Sequence, residues 1–471
     1  MSARYDVLVI GSGTGGYVAA IKAAQLGLST AVVERQPVLG GTCLNWGCIP
    51  TKALLEHAHA LKIVRQSADW GISGAPSAPA IDMAAVHARK DKVVAGLGKG
   101  VEYLFKKHRI DWIKGSARLG GGGDVDVTGD APRSISATEI IIATGSAPRG
   151  LAGITIDRER IITSDQAVAL DHVPASIAII GSGAVGVEFA SIFSRFGSRV
   201  TLIEVQPSIV PNEEPVVSAE LAKSFRKRGI DVRTSTRVTR AERAGDVVSI
   251  DLADDKGDVT SLEVEILLVA TGRQPVTDGL GAAEAGLTLD RGFIRVDELY
   301  RTGVPGISSV GDVITVGDRV HPQLAHVSSA EGVLVAERIA GRAVQPLNYD
   351  AIPACTYCEP EIGSVGLTEA AAIARGYDVR VGTFPFSVLG RARMSGDTEG
   401  FVRIVGETRY DQLLGVHIIG GRATELIAEA AAALRLESTV EDLARTIHAH
   451  PTLSEAMGEA AHAALGGAIH V

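Results

Sequence analysis

The chain has 471 residues, which is enough for about three domains of ordinary size. Its formal net charge of -9 argues against nucleic acid or an anionic membrane surface as a main partner, and its 46% hydrophobic content is typical of globular proteins. Four cysteines in a chain of this length do not form a disulfide scaffold, whereas a close pair in the cytosol is more often catalytic or metal-binding.

The beginning of the chain predicts a cytoplasmic protein. The apolar run at 7–10 is too short for the core of a signal peptide and leads directly into glycines. No run approaches the ~18 apolar residues that a membrane span requires. We therefore expect no membrane association.

The first predicted elements form a strand–helix–strand unit. Asp6–Ile10 is predicted to be a buried parallel strand, and the sequence G-S-G-T-G-G follows at 11–16. An alanine-rich helix then runs from Tyr17 to Leu26, and a second strand over 30–34 ends in a carboxylate. This order is the signature of a dinucleotide-binding βαβ unit.

Each marked residue of this unit has an expected role. Gly11 allows the tight turn, Gly13 lets the backbone approach a pyrophosphate, and Gly16 permits close packing of the helix. Glu34, at the end of the second strand, is expected to accept a hydrogen bond from a ribose hydroxyl.

Two cysteines follow in the sequence G-G-T-C-L-N-W-G-C-I-P-T-K at 40–52. Cys43 and Cys48 are five positions apart, so on a slightly distorted helix they can meet the geometry of a disulfide, whose Cα atoms lie within roughly 7 Å. The N-terminus of a helix lowers the pKa of a nearby thiol, which predicts a thiolate at Cys43. Lys52 follows Cys48 by one helical turn. Two thiols beside an ammonium group indicate redox chemistry, and the flanking motifs disfavour the alternative of two ordinary core cysteines.

The dinucleotide pattern then recurs. A strand over 176–180 leads into G-S-G-A-V-G at 181–186, a helix through Phe196, and a strand over 199–204. Gly11 to Glu34 and Gly181 to Glu204 span the same 23 residues. The repeat, with Gly183 and Gly186 in place of Gly13 and Gly16, predicts two dinucleotide sites on one chain.

Later segments complete the predicted sheets. The strands at 140–145 and 266–272 both end in Ala-Thr-Gly, and the strand at 306–312 ends in Asp312, where ligands collect in open α/β sheets. We expect helices between 54 and 114, with the one over 83–107 interrupted by glycines, a loop tip at 120–123 and an antiparallel meander at 246–258.

A change in sequence texture after Pro346 predicts a third domain of mixed α/β structure. Its end carries His448 and the sequence H-P-T-L-S-E at 450–455. The C-x-x-C formed by Cys355 and Cys358 lacks the second ligand pair of a zinc site, so we interpret it as structural rather than as a metal or redox site, and expect no metal.

In this combination the chain resembles the pyridine nucleotide–disulfide oxidoreductases that have a C-x4-C centre, and the resemblance covers essentially the whole sequence. It implies an α/β fold with two Rossmann-like domains, the NAD domain being inserted in the FAD domain, and a C-terminal α+β domain that forms a homodimer. The implied bounds are 1–150 and 276–345 for the FAD domain, 151–275 for the NAD domain and 346–471 for the interface domain.

Within that family the chain is most similar to the branch that oxidises dihydrolipoamide with NAD+ in 2-oxoacid dehydrogenase and glycine cleavage complexes. The resemblance implies that Cys43 exchanges with the substrate and that Cys48 passes electrons to FAD. It also implies that Lys52 approaches the flavin and pairs with Glu188. His450 of the partner subunit would be the acid/base, oriented by Glu455, and His448 would be a satisfied interface histidine.

The resemblance also implies contacts to the two nucleotides. Beyond the fingerprint residues, the FAD contacts would be Gly115, Thr144, Gly145, Ser146, Asp312, Gln323, Leu324, Ala325 and His326, and the NAD contacts would be Val238 and Gly272. Glu204 is followed by no Arg or Lys within three positions, and a carboxylate repels a 2′-phosphate, so we expect NAD rather than NADP.

Other readings are open. The NADPH-dependent glutathione reductases are disfavoured by Glu204. Mercuric reductases and large thioredoxin reductases are disfavoured because no cysteine follows Cys358, and soluble transhydrogenases because both Cys43 and Cys48 are present. An NADH-dependent reductase of another small disulfide is the main alternative, and a binding subunit with little turnover is the third. Trp46, where the family often has Val or Ile, gives no substrate preference.

Overall fold

The structure is a computed structural model that describes residues 4–120, 123–129 and 132–471. Residues 121 and 122, within the loop tip expected at 120–123, lie outside this part of the chain. The chain divides into two compact units: Met1–Ala53, Ala84–Arg149 and Gly272–Leu347 form the first, and Leu54–Met83, Gly150–Thr271 and Asn348–Val471 form the second. The first unit is thus interrupted by the second in sequence, while the predicted domain bounds stay a prediction.

The largest sheet of the first unit contains the strands of the first predicted dinucleotide-binding βαβ unit. Within the described residues its seven strands are β1 (Arg4–Ile10), β2 (Thr30–Glu34), β3 (Asp111–Lys114), β4 (Ser116–Leu119), β5 (Asp124–Thr128), β6 (Arg133–Ile142) and β19 (Ile307–Ser309). The order is β3-β2-β1-β6-β5-β4, with β19 also paired to β6. The strands β3, β2, β1, β6 and β19 are parallel, because each is followed or preceded by a helical crossover or a long excursion.

Smaller sheets and the helices complete this unit. The remaining strands are β7 (Ser146–Pro148), β16 (Arg273–Pro275), β17 (Leu289–Asp290), β18 (Phe293–Val296), β20 (Ile314–Val316) and β21 (Arg319–Val320). The helices are α1 (Thr14–Gln25), α2 (Gly41–Asn45) and α8 (Ala325–Ile339), and two more, α3 (Cys48–Arg65) and α4 (Met83–His108), run across the sequence boundaries of the units.

Helix α8 packs closely on α1, the helix that follows the first glycine-rich loop. A Cβ on Gly332 would lie 2.5 Å from the carbonyl oxygen of Gly15, and one on Gly15 would lie 3.2 Å from the carbonyl oxygen of Ser328. Glycine is therefore required at Gly332, since a side chain there would separate the two helices, and at Gly15 a side chain would be tightly confined.

The nucleotide-binding part of the second unit has a parallel sheet with the order β11-β10-β9-β15-β8. These strands are β8 (Ile161–Ile162), β9 (Ser176–Ile180), β10 (Arg199–Ile203), β11 (Asp231–Arg233) and β15 (Ile266–Val269). The helices are α5 (Ser164–Ala167), α6 (Ala184–Phe196) and α7 (Pro215–Lys227). The predicted antiparallel meander is confirmed as β12 (Arg237–Ala244), β13 (Val247–Ala253) and β14 (Val259–Val264).

The C-terminal segment of the second unit is built on an antiparallel sheet with the order β22-β23-β26-β25-β24. Its strands are β22 (Ala354–Thr356), β23 (Glu361–Gly366), β24 (Val379–Pro385), β25 (Gly400–Glu407) and β26 (Leu413–Gly420). The helices are α9 (Glu369–Ala374), α10 (Gly390–Ser395), α11 (Ala423–Arg435), α12 (Val440–Arg445) and α13 (Glu455–Ala464). A mostly parallel sheet in the first unit, a parallel sheet in the second and an antiparallel C-terminal sheet confirm the predicted α/β fold class.

The expected interruption of the long helix is wrong. Helix α4 runs without a break from Met83 to His108 and passes through Gly96, Gly98 and Gly100. Each glycine costs roughly 1 kcal/mol of helix propensity but does not break the hydrogen-bond ladder. Val101 and Phe105, on the same helix, are buried in the core of the first unit and offset that cost.

None of the helices within the described residues combines the length and the apolar character that a membrane span needs.

Burial of the Glu213 carboxyl group, in the second unit, disfavours its charged form. Burial raises the pKa of its carboxyl, and the neighbouring Glu214 acts in the same direction. Ser364 donates a hydrogen bond to Oε1 over 3.3 Å, while Oε2 has no hydrogen-bond partner among the described residues. The folded state therefore keeps this proton to a higher pH than the unfolded chain does.

We expect Glu213→Gln to raise the apparent Tm at pH 7.5 by about 1–3 °C, and by less near pH 4. Below the ordinary glutamate pKa both states are protonated, so removing the charge changes nothing. Above it only the unfolded chain ionises freely, and the native state loses stability. The measurement is thermal unfolding across pH with the exposed Glu263→Gln as the matched control. An equal shift at both pH values would contradict the buried-carboxylate explanation.

Candidate active site

The redox stretch is two helices rather than one. Cys43 lies in α2, and Cys48 begins α3, with a turn at Trp46 and Gly47 between the two helices. A Cβ on Gly47 would lie 2.9 Å from the carbonyl oxygen of Thr42, so this turn requires glycine. The small distortion expected between the cysteines is therefore a complete break in the helix.

The break brings the two cysteine side chains into contact. Cys43 and Cys48 share a hydrogen bond, so the structure describes the pair as a dithiol. That hydrogen bond, together with burial, raises the pKa of the Cys43 thiol, while Lys52 acts in the opposite direction. The direction of this pKa shift is opposite to the thiolate expected at Cys43, which stays a prediction. A five-residue helix supplies little dipole, and the neighbouring sulfur and the buried setting outweigh it.

The redox stretch at 40–52 contacts the first glycine-rich loop through its backbone. The amide of Gly40 donates a hydrogen bond to the carbonyl oxygen of Ser12 over 3.0 Å. A Cβ on Gly41 would lie 2.5 Å from the Cα of Gly13, so the two loops touch backbone to backbone. A dinucleotide held by this loop would lie beside the cysteines.

Both glycine-rich loops have the same internal geometry. Gly11 and Gly181 adopt left-handed conformations, with φ of 101° and 96°. A Cβ on Gly16 would overlap the carbonyl oxygen of Gly11, and one on Gly186 would overlap that of Gly181. Both positions therefore require glycine for helix packing, as predicted from the sequence. Gly13 and Gly183, in contrast, have open space where a side chain would be, which is the space a pyrophosphate needs.

Glu34 and Glu204, the two carboxylates at strand ends, are hydrogen-bonded to the glycine-rich loops that precede them. Glu34 Oε2 accepts hydrogen bonds from the amide and hydroxyl of Ser12 over 2.8 and 2.7 Å, and Oε1 accepts one from the amide of Gln36 over 2.8 Å. Glu204 has the same three contacts, with Ser182 at 2.9 and 2.7 Å and Gln206 at 2.9 Å. The sequence analysis missed both serines, although the repeated Gly-Ser-Gly could have revealed them.

Several predicted flavin contacts are linked to one another in the first unit. The Ser146 hydroxyl donates to Asp312 Oδ2 over 2.6 Å and accepts from Arg273 Nε over 2.6 Å. Gly115 and Gly145 have φ of 149° and 69°, and the amide of Gly115 donates to the carbonyl oxygen of Glu34 over 2.9 Å. Arg273, which fixes the position of the serine and the carboxylate, was not predicted.

The turn predicted at 323–326 is the entrance to helix α8. Leu324 caps the helix, Ala325 begins it, and His326 lies in its first turn. Gln323 has a φ of 55°, a left-handed conformation that costs energy for a residue with a side chain.

The C-terminal segment contains a histidine–glutamate pair. His450 Nδ1 lies 2.8 Å from Glu455 Oε1, and the amide of Thr452 donates to Glu455 Oε2 over 2.8 Å. Burial opposes ionisation of Glu455, but these hydrogen bonds outweigh it and lower the pKa of the carboxyl. His450 is 79% exposed, so its other ring nitrogen is accessible to a substrate or to another subunit.

His448 has its own partner, as predicted. Its Nε2 lies 2.7 Å from Glu429 Oε1, and this hydrogen bond raises the pKa of the imidazole. Both histidines line a pocket of ≈ 290 Å³ in the second unit.

The remaining predicted residues lie in the second unit or at its sequence boundary. Glu188, on α6, is 3% exposed and accepts a hydrogen bond from the amide of Tyr357 over 3.0 Å. Val238 lies at an irregularity of β12, and Gly272 has a φ of 111°. Lys52 belongs to the first unit, so its predicted pairing with Glu188 stays a prediction.

The C-x-x-C lies in and after strand β22. Cys358 is buried, and its Sγ lies 3.1 Å from the carbonyl oxygen of Pro360; Cys355 is half-buried. Burial raises the pKa of the Cys358 thiol well above its usual range, which makes it a poor nucleophile. No group of three or more His, Cys, Asp or Glu within the described residues is arranged to hold a metal ion.

Family models match nearly the whole chain. The model described as pyridine nucleotide-disulphide oxidoreductase matches residues 5–332, and the dimerisation domain of that family matches residues 352–461. The chain therefore belongs to the pyridine nucleotide–disulphide oxidoreductase family.

Full-length relatives narrow the comparison. The chain is 43% identical to dihydrolipoyl dehydrogenase of Chlorobaculum parvum over 98% of each chain, and 42% identical to that of Bacillus subtilis over 100% of each. Its structure is similar to the crystal structure of LpdA from Mycobacterium tuberculosis, with a TM-score of 0.88 and 27% identity over 98% of this chain and 99% of that one. Its similarity to dihydrolipoyl dehydrogenases thus extends over the full length.

Family membership implies FAD as the resident cofactor. Two buried side-chain atoms among the predicted flavin contacts, Thr144 Oγ1 and Gln323 Nε2, have no hydrogen-bond partner in the described structure. Buried polar atoms without partners are rare in native proteins, so these two fit a site that a polar ligand completes. The open space at Gly13 fits the same ligand.

The second glycine-rich loop yields a test with a matched pair of variants. We expect Gly183→Ala to fold normally and to raise the KM for the nicotinamide nucleotide about tenfold or more, because its Cβ enters the pyrophosphate space. We expect Gly186→Ala to lose thermal stability, because its Cβ overlaps a carbonyl oxygen. Thermal unfolding and steady-state kinetics measure the two effects. Equal effects on stability would contradict the different roles of the two glycines.

Proposed function

We propose that this protein is a dihydrolipoyl dehydrogenase. It oxidises protein-bound dihydrolipoamide to lipoamide, reduces NAD+ to NADH, and uses FAD and a Cys43–Cys48 redox disulfide. The observation that carries the proposal is the contacting cysteine pair, held against a dinucleotide loop by the Gly40–Ser12 hydrogen bond. The full-length similarity to dihydrolipoyl dehydrogenases supports this substrate over other disulfides.

The first half-reaction is a thiol–disulfide exchange. A thiolate of dihydrolipoamide attacks Sγ of Cys43, the Cys43–Cys48 bond breaks, and Cys48 leaves as a thiolate. The second sulfur of the substrate then attacks the first, which closes the lipoamide ring and releases Cys43. The substrate loses two protons and two electrons, and the cysteine pair gains the electrons.

The proton acceptor in this step is His450 of the partner subunit. An imidazole titrates in the range that thiol deprotonation requires. The carboxylate of Glu455 holds Nδ1, so that Nε2 is the nitrogen that receives the proton. A homodimer is consistent with the dimerisation domain of the C-terminal segment.

The second half-reaction returns the cysteines to the disulfide. FAD, when bound, would supply the two-electron chemistry that links the dithiol to NAD+. Cys48 would be the thiol that passes the electrons on, and Lys52 acts to lower the pKa of the Cys43 thiol electrostatically. Glu188 is proposed to hold Lys52.

The cofactor contacts follow the duplicated loops. In the first unit Gly11, Gly13, Gly16 and Glu34 hold the adenosine diphosphate part of FAD, and the contacts predicted from Gly115 to His326 hold the rest. The proposed NAD contacts in the second unit are Gly181, Gly183, Gly186, Glu188, Glu204 and Val238, and Gly272, which follows the Gly150–Thr271 segment of that unit in sequence, is the remaining one. Glu204 favours NAD+ because its carboxylate would repel a 2′-phosphate.

The proposed partners are lipoyl-bearing proteins of 2-oxoacid dehydrogenase or glycine cleavage complexes, and the proposed location is the cytoplasm. Both rest on the sequence resemblance.

The assay for the function is NAD+ reduction by the purified protein with dihydrolipoamide as donor. We expect rapid turnover with NAD+ and little with NADP+. Cys48→Ala should abolish it, because no disulfide forms, while Cys355→Ala, in the other cysteine pair, should retain it. Slow turnover in a yellow protein that NADH reduces would favour the alternative, a reductase of another small disulfide. Full turnover in Cys48→Ala would refute the disulfide mechanism.

The proton-transfer role is tested separately. We expect His450→Gln to lower kcat/KM for dihydrolipoamide by about 10²–10⁴-fold, the usual contribution of a general base. Glu455→Gln should lower it by about 10–100-fold, since it removes one charge-assisted hydrogen bond. Glu429→Gln, which breaks the neighbouring histidine–glutamate pair, is the matched control. If Glu429→Gln and Glu455→Gln reduced turnover equally, Glu455 would have no special role.

A further inference from the structure

A second histidine–glutamate pair lies in the core of the first unit. His321 Nε2 and Glu331 Oε1 are 2.9 Å apart, and both side chains are completely buried. His321 is the first residue of the loop that connects β21 to α8, and Glu331 lies on α8. Nothing in the proposed mechanism uses either residue.

The hydrogen bonds around this pair define its protonation. The amide of Gln323 donates to His321 Nδ1 over 2.9 Å, so this nitrogen is an acceptor and carries no proton. Nε2 therefore carries the proton and donates it to Glu331 Oε1. The other oxygen of Glu331 accepts the amide of Gly311 over 2.7 Å. The pair thus joins two backbone amides through a neutral imidazole and a carboxylate.

The two amides belong to the two segments predicted to contact the flavin. Gly311 directly precedes Asp312, whose carboxylate is also held by Ser146. Gln323 begins the turn into α8 and has a left-handed backbone conformation. Its side-chain nitrogen, Nε2, is buried and has no hydrogen-bond partner among the described residues. The backbone of each segment is therefore held by a hydrogen bond to a buried side chain, Gly311 by Glu331 and Gln323 by His321.

Helix α8 connects this pair to the dinucleotide loop. Glu331 is followed by Gly332, whose missing side chain lets α8 lie against Gly15 of α1. Consecutive residues of one helix thus set the distance to α1 and the positions of Gly311 and Gln323.

We propose that His321 and Glu331 are positioning residues of the flavin site, which hold Asp312 and the 323–326 turn in the arrangement that binds FAD. The inference rests on the proposed function, because it requires FAD as the ligand of these segments. A buried polar pair of this kind is weak evidence for stability alone, since apolar residues can often replace it. Here His321 also accepts the Gln323 amide and Glu331 also accepts the Gly311 amide, so each partner contacts one of the two segments.

The first test is Glu331→Gln, which preserves the shape of the side chain. A glutamine offers one acceptor oxygen and one amino group, so it cannot accept from both His321 Nε2 and the Gly311 amide. We expect the dissociation constant of FAD from the flavin-free protein to rise about 10–100-fold, the effect of one unsatisfied buried donor. Bound flavin is measured after ultrafiltration, together with its absorption spectrum. Glu429→Gln is the matched control and should leave FAD affinity within about twofold of wild type.

Two substitutions of His321 each remove one of its two hydrogen bonds. His321→Asn keeps an acceptor near the Nδ1 position for the Gln323 amide and loses the donor to Glu331. His321→Gln places a donor near the Nε2 position and loses the acceptor. Both should weaken FAD binding, and they remain informative if Glu331→Gln fails to fold. A rise in the FAD dissociation constant larger than for the Glu429→Gln control supports the proposal in either variant.

The outcomes separate the possible explanations. If the variants unfold at a lower temperature as flavin-free proteins but bind FAD with wild-type affinity and spectrum, the pair is only structural and the inference is overturned. If wild-type protein binds no FAD, the proposed function itself fails, and this role fails with it. The result we expect is a weaker affinity for FAD together with some loss of stability of the flavin-free protein, since the unsatisfied buried donor is present without FAD as well.

Discussion

The backbone contact between the first glycine-rich loop and the redox stretch is the constraint on which the active site depends. Gly41 lies against Gly13, and the amide of Gly40 is bonded to Ser12, so the cysteines start from a fixed point on the dinucleotide loop. The turn at Gly47 then lets the side chain of Cys48 contact that of Cys43. Glycine is the residue that allows both contacts, and the chemistry of the thiols follows from where this backbone places them.

The same local design occurs in both units. In each unit a serine inside the glycine-rich loop and a glutamate at the end of the next strand close the loop, and a glycine in the helix allows it to approach. The differences arise outside the loops. The first unit adds the redox stretch and the linked group of Ser146, Arg273 and Asp312, whereas the second adds the antiparallel meander. A duplicated binding unit has thus acquired two different roles through its surroundings.

Much of this arrangement could be predicted from the sequence because its signals are local. The glycine spacing, the strand-end carboxylates and the C-x4-C all lie within short windows, and the full length matches one known family pattern. The break between α2 and α3 could not be predicted, because the cysteine spacing also suits a single distorted helix. The raised pKa of the Cys43 thiol depends on a contact between side chains, and so does the His321–Glu331 pair. Helix α4 stayed intact through three glycines because burial of Val101 and Phe105 outweighs propensity, which a local rule does not weigh.

The closure of the second loop by Glu204 has a consequence for coenzyme choice. The carboxylate that we propose discriminates against a 2′-phosphate is also the acceptor for the amide and hydroxyl of Ser182. A substitution of Glu204 that accommodates NADP therefore also opens the loop, because it leaves the buried amide and hydroxyl of Ser182 without an acceptor. Changing the coenzyme requires a second substitution at Ser182 or a new acceptor, so that the route from one nucleotide to the other passes through at least one less stable intermediate sequence.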